Sequence, residues 1–144
     1  MRDLHNNIDV RPAIDPYDHA TGDAAVSTEV CDLQGFKSCE LLLQFGSIAD
    51  SDATFAIVFY EGDTTSPTTA VDDKDLLGTE DLLAPLFSDD NEVFKIGYIG
   101  SCRYVKATLT PTNNTGAILM SALWVLGHPD NAATANPPAN PAAI

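Results

Sequence analysis

Apolar and polar residues alternate along much of the chain with a period of two, the spacing of a strand that buries one face. Over 36–45, Phe36, Ser38, Glu40, Leu42 and Gln44 fall on one side and Lys37, Cys39, Leu41, Leu43 and Phe45 on the other. The second set is mostly apolar and is expected to face a core. After the turn Ala49-Asp50-Ser51-Asp52, residues 53–60 set Phe55, Ile57 and Phe59 opposite Ala56, Val58 and Tyr60. Apolar residues on both sides predict a central or doubly covered strand. The runs 92–99 and 103–110 are separated by Gly100-Ser101-Cys102 alone and predict a tight hairpin. Thr112-Asn113-Asn114-Thr115-Gly116 reads as a turn. Residues 117–126 form the most apolar run, expected in the middle of a sheet with Trp124 as a core or interface anchor. Residues 28–33 read as a short strand. Leu76-Leu77 and Leu82-Leu83, around Gly78, fit a short strand or a single helical turn equally well.

The sum is six to eight short strands and no long helix. That predicts an all-β chain, an antiparallel β-sandwich of immunoglobulin-like or jelly-roll-like type. The ends differ from the middle. Residues 1–26 carry Pro12 and Pro16 and read as an extended N-terminal arm, ordered only by packing on its own domain or a neighbour. Residues 27–128 form the sandwich domain. Residues 129–144 are a Pro/Ala-rich tail of polyproline character.

Charge narrows the function classes. The 144 residues hold 21 acidic and 7 basic side chains, a net −14. A polyanion of this kind is not expected to bind nucleic acid or an anionic membrane surface. No apolar run approaches the ~20 residues that span a bilayer, and the N-terminus shows no signal-peptide pattern. Cys31, Cys39 and Cys102 are odd in number and form no Cys-x-x-Cys pair, so they read as buried free thiols in a reducing cytoplasm. The acidic stretch from Asp72 to Glu92 misses EF-hand spacing and reads as a solvated face. His5, His19 and His128 fall in no pocket-like segment, and no catalytic, metal or cofactor site is expected. Tyr60, Tyr98, Tyr104 and Trp124 are the aromatics available for a sugar-binding face, although strand aromatics usually serve the core.

Four segments carry a more specific signal: Asp32-Leu33-Gln34-Gly35-Phe36, Asp75-Leu76-Leu77-Gly78-Thr79-Glu80, the run from Lys95 through Gly97-Tyr98-Ile99-Gly100-Ser101-Cys102-Arg103-Tyr104 to Lys106, and Leu126-Gly127-His128-Pro129. In that order, across about residues 25 to 130, the chain resembles a family of small proteins of tailed bacteriophages and prophages encoded beside the major capsid protein. The resemblance implies a virion protein without enzymatic activity, made in the host bacterial cytoplasm. The expected role is head decoration, or cement, on the outer surface of an icosahedral capsid, stabilising it by bridging capsomers. Its expected partners are the major capsid protein and further copies of itself, with a trimer suggested by capsid three-fold positions. A glycan-binding adhesion module on head or tail is the alternative, and a head–tail junction component the next. The arm supplies the expected contact residues: Arg2, Leu4, Ile8, Val10, Arg11, Ile14 and Tyr17, which combine apolar area with two cations.

Overall fold

In the computed structural model, which describes residues 3–19 and 22–131, the alternating runs become strands of two facing antiparallel sheets. The strands are β1 (Ile8–Asp18), β2 (Val26–Ser27), β3 (Cys31–Asp32), β4 (Phe36–Ile48), β5 (Thr54–Gly62), β6 (Thr69–Ala70), β7 (Leu76–Leu77), β8 (Val93–Tyr98), β9 (Tyr104–Thr112) and β10 (Ile118–Pro129). Sheet A runs β1-β10-β4-β8-β7, and sheet B runs β2-β9-β5-β6 with β3 also on β9. The all-β sandwich expected from the sequence is the fold observed. Arg2 and the tail beyond Asn131 lie outside the described residues.

The core forms where the inward faces meet. Leu41, Leu43 and Phe45 of β4 point in, as do Phe55, Ile57 and Phe59 of β5, Val105 and Leu109 of β9, and Trp124 and Leu126 of β10. Trp124 meets Phe59 edge to face at 6.3 Å and donates its indole N–H to the Glu29 carbonyl at 3.0 Å. Its one polar atom is thereby satisfied in the interior. β10 lies between β1 and β4, inside its sheet.

β5 is central in its sheet, between β9 and β6, and is covered on one face only: Ala56 is exposed and Val58 and Tyr60 are half-buried. Other expectations need correction. The segment read as an arm, 1–26, contributes β1 to the sandwich, paired with β10 from Ile8↔Gly127 to Asp18↔Leu119. The prolines that argued for an arm fit an edge strand, because proline has no N–H to give an inner ladder. The register shifts fall beside Pro12 and Pro16, between Pro12 and Ile14 and between Ile14 and Tyr17.

Runs 92–99 and 103–110 do not pair with one another. β8 pairs β4 and β7 in sheet A, while β9 pairs β5, β2 and β3 in sheet B. A two-residue hairpin needs positive φ in its turn; among the described residues that conformation occurs at Asn91, Asn113, His128, Gly22, Gly35 and Gly78, and nowhere in 99–103. The chain therefore turns the corner between sheets. Tyr98 holds the corner, donating its hydroxyl to Glu61 at 2.5 Å and accepting the Cys102 N–H at 3.1 Å. Burial, then the Glu61 contact, pushes the Tyr98 phenol far above its ordinary range. Cys102, read as a buried thiol, lies in this corner and is half-buried, whereas Cys31 and Cys39 are buried. The Cys31 thiol, together with burial, pushes the Cys39 thiol well up.

Both readings of 75–87 occur in succession: β7, then a single 3-10 turn at Glu80–Leu83. The acidic stretch uses several carboxylates as caps. Glu80 accepts the Phe59 N–H, Asp90 the Ile48 N–H and Asp89 the Leu86 N–H, each at 2.7 Å. Lys74 pairs with Asp72 and Asp75.

Candidate interaction surface

The register of sheet A places its outward side chains in rows. Pro12, Leu123, Leu42 and Lys95 stand side by side across β1, β10, β4 and β8. The next row is Val10, Val125, Glu40, Gly97 and Leu77, and the next Ile8, Gly127 and Ser38. Leu119 and Leu123 are 43% and 44% exposed, and Val93, Leu77 and Ile99 at the rim 60%, 57% and 53%. Across these three rows Glu40 and Lys95 are the only charges, and they cancel. A chain of net −14 thus presents one nearly uncharged, aliphatic sheet face. Strands ~4.8 Å apart with ~6.6 Å between successive outward side chains give the twelve positions of these rows a footprint on the order of 400 Å², about half of what one partner contributes to a standard interface. An apolar patch of this extent is about as large as the largest on a typical monomer, and such patches are often functional.

Sheet B presents a different outer face. Tyr60 stands beside Lys106, whose Nζ lies 5.6 Å from the ring, and the Arg103 guanidinium lies 4.9 Å from the Tyr104 ring. Thr108 and Ser27 share a hydroxyl hydrogen bond at 2.9 Å. Of the aromatics considered for sugar binding, Tyr98 and Trp124 are 3% and 1% exposed and belong to the core. Tyr60 and Tyr104 remain half-exposed.

The structure divides the expected contact residues. Leu4, 67% exposed, and the half-buried Ile8 and Val10 border the aliphatic face of sheet A. Tyr17 is 59% exposed and stacks on His19 with ring centroids 3.9 Å apart. Ile14 and Arg11 do not join them. Ile14 is 6% exposed, in the core. Arg11 bonds the Asp9 carboxylate at 3.0 Å and the Asp32 carbonyl at 2.7 Å and lies over the Phe36 ring. It is a brace between β1 and β3. Asp32 in turn receives two hydrogen bonds from Arg103 at 2.8 Å, which hold its carboxyl below the ordinary range. The outward apolar residues that the sequence reading did not single out are Leu42 of β4, Leu77 of β7, Val93 of β8 and Leu119, Leu123 and Val125 of β10. For the last three the signal was a second, outward set of apolar residues on β10, more than a strand covered on one side requires.

A trough of about 400 Å³ opens on this face between Leu4, Ile8, Leu77, Ile99 and Val125. Asn7, Ser38, Glu40 and His128 supply polar groups, and Ser38 Oγ lies 2.8 Å from His128 Nδ1. His128, read as lying outside any pocket, stands at its end with φ +51°. Burial raises the Glu40 carboxyl, and Lys95 acts against that. Among the described residues no three His, Cys, Asp or Glu side chains are grouped to hold a metal ion. No helix among them is long and apolar enough to cross a membrane.

No protein-family model matches the chain, and no curated protein matches it in sequence. Solved structures do resemble it in fold. The VP2 subviral particle of infectious bursal disease virus is 13% identical, with a TM-score of 0.52, over 87% of this chain and 34% of that one. The chain thus spans about a third of the length of that protein. The xylan-binding module CBM15 is 9% identical over 90% of this chain and 96% of that one, with a TM-score of 0.39. The CBM32 module of AlyQ, solved with 4,5-unsaturated mannuronic acid, is 15% identical over 76% and 74%, with a TM-score of 0.37. What this chain shares with the virus particle protein is a β-sandwich fold.

Proposed function

We propose that this chain is a structural protein of a virion: a head-decoration, or cement, protein that binds the outer surface of an icosahedral phage capsid and bridges its capsomers. The observation that carries the reading is the nearly uncharged, largely aliphatic face of sheet A on a domain that is otherwise strongly acidic. A cement protein needs a rigid domain with one adhesive face, and it needs no active site. Many modest contacts repeated over a symmetric lattice then add through avidity. The net charge of −14 favours the outside of a head over contact with packaged DNA, since carboxylates repel phosphates. The fold likeness to a virus particle protein and the phage-family resemblance agree with this role.

The test is stoichiometry in purified virions. A ratio to the major capsid protein near one, or a simple fraction of one, is the expected result. About a dozen copies per particle would place the chain at the head–tail junction, and absence from particles would overturn the proposal. A second reading, a glycan-binding module, draws on Tyr60 and Tyr104 with their flanking cations on the outer face of sheet B. Saturable sugar-induced shifts of those tyrosines, without head binding, would favour it.

A further inference from the structure

Glycines border the trough on sheet A: Gly127 lines it, and Gly97 lies against two of its lining side chains, Glu40 and Leu77. A Cβ on Gly97 would stand 2.8 Å from Glu40 Oε2 and 3.1 Å from the Leu77 Cβ, and a Cβ on Gly127 would stand 2.6 Å from Ser38 Oγ. The two glycines flank β4 from either side, Gly97 opposite Glu40 and Gly127 opposite Ser38. The missing side chains leave room for Glu40 and Ser38 to lie along the sheet between aliphatic walls. Glu40 is half-buried there, and among the described residues it makes no ion pair within 4.0 Å. Lys95, the cation that acts on it through space, is not part of the trough wall. An aliphatic cleft ending in a carboxylate that has no contact ion pair is complementary to a cation on a hydrocarbon stem, because such a side chain buries its methylenes and keeps its charge paired.

We propose that this trough is the receptor for a lysine or arginine side chain of a polypeptide partner, with Glu40 as its counter-ion and Leu77 and Val125 packing on its stem. The inference deepens the cement reading, and rests on it for the identity of the partner: a basic residue on the outer surface of the capsid subunit. Ser38 and the ring of His128 add hydrogen-bonding capacity at the far end, which suits a guanidinium with its several donors. The site also explains why a face otherwise suited to apolar docking keeps one acidic side chain in its middle. That carboxylate would penalise an uncharged partner surface that left it buried and unpaired, and so gives the face specificity.

Two measurements separate this inference from the cement reading. In the first, the ¹⁵N-labelled full chain is titrated with n-butylguanidinium and with its neutral isostere n-butylurea, following the amides of Ser38, Gly97 and Gly127. The expected result is saturable shifts with the cation, about tenfold tighter than with the urea, and loss of that preference in Glu40→Gln with the rest of the spectrum unchanged. Equal affinity for the two probes, or cation shifts that survive Glu40→Gln, would overturn the proposal, because the cation would then be held by other carboxylates. In the second, wild type and Glu40→Gln are bound to heads stripped of this protein. A loss of about tenfold in affinity for Glu40→Gln supports the trough as the docking determinant, and equal binding overturns it. Failure of the wild type to bind heads, alongside the expected titration, would sink the cement reading while supporting a receptor for a basic group.

Discussion

Asp50 ties two turns together. Its Oδ2 accepts the Thr115 N–H and hydroxyl, both at 2.7 Å, and Oδ1 accepts the Asp52 N–H at 3.3 Å. The contacts with Asp52 and Thr115 hold the Asp50 carboxyl well below its ordinary 3.8. A carboxyl that is more acidic folded than unfolded stabilises the fold above its unfolded value, and loses that contribution as pH falls through the folded one. The hydrogen bond with Asp50, then its charge, shifts Asp52 upward, in the opposite sense. Urea midpoints should therefore fall on acidification below about pH 4, and Asp50→Asn should lower the midpoint at pH 7 while flattening that acid limb. An acid limb identical in the variant would refute this. Trp124 tests the core. Its replacement by Ala leaves a large cavity and frees the Glu29 carbonyl, and should cost about 3–5 kcal/mol by urea denaturation followed by circular dichroism.

At the scale of elements, the corner between β8 and β9 decides the topology. Residues Gly100 to Arg103 pass so close to Tyr98 that a Cβ on Gly100 would stand 2.4 Å from its hydroxyl oxygen and 2.5 Å from Cζ. The obstacle is a buried ring held by Glu61, not the free end of a flexible side chain. Gly100→Ala should therefore destabilise the domain by about 1–3 kcal/mol in chemical denaturation, and unchanged stability would show that the corner relaxes freely. The alternation of 92–110 was legible as two strands, because period two reports which face is buried. It does not report the partner. β8 and β9 each carry an apolar face and satisfy it against different sheets. β1 shows the same limit: its two prolines mark it as unfit for an inner strand, yet edge strand and free arm share that signature. The acidic stretch was read as one solvated face, but the carboxylates of Glu80, Asp89 and Asp90 serve separate backbone N–H groups.

For the whole molecule, β1 is part of the fold. Removing residues 1–18 should strip β10 of its neighbour, expose an apolar strand edge and abolish a cooperative thermal transition. A truncated chain that melts like the full one would restore the reading of a detachable arm. The aliphatic face makes the complementary prediction. Leu123 is 44% exposed, so Leu123→Lys should change stability by no more than about 0.5 kcal/mol. Placed in the centre of the face, the charge should nonetheless abolish sedimentation of the chain with empty phage heads.

Alternation and composition by themselves determined that this chain is an all-β sandwich with Leu41, Leu43 and Phe45 facing inward, and that it is strongly acidic. These are properties of single strands and of sums over residues. The interaction face was partly visible, in the apolar outward positions of β10 and in Leu4, Ile8 and Val10. Only the tertiary structure decided that Arg11 and Ile14 face inward, that Phe55, Ile57 and Phe59 are the inward set of β5, that Pro12, Leu42 and Leu123 form one row, and that Gly97 and Gly127 lie against Glu40 and Ser38. Each of these depends on register between strands distant in sequence, and register is set by how two sheets close on one core.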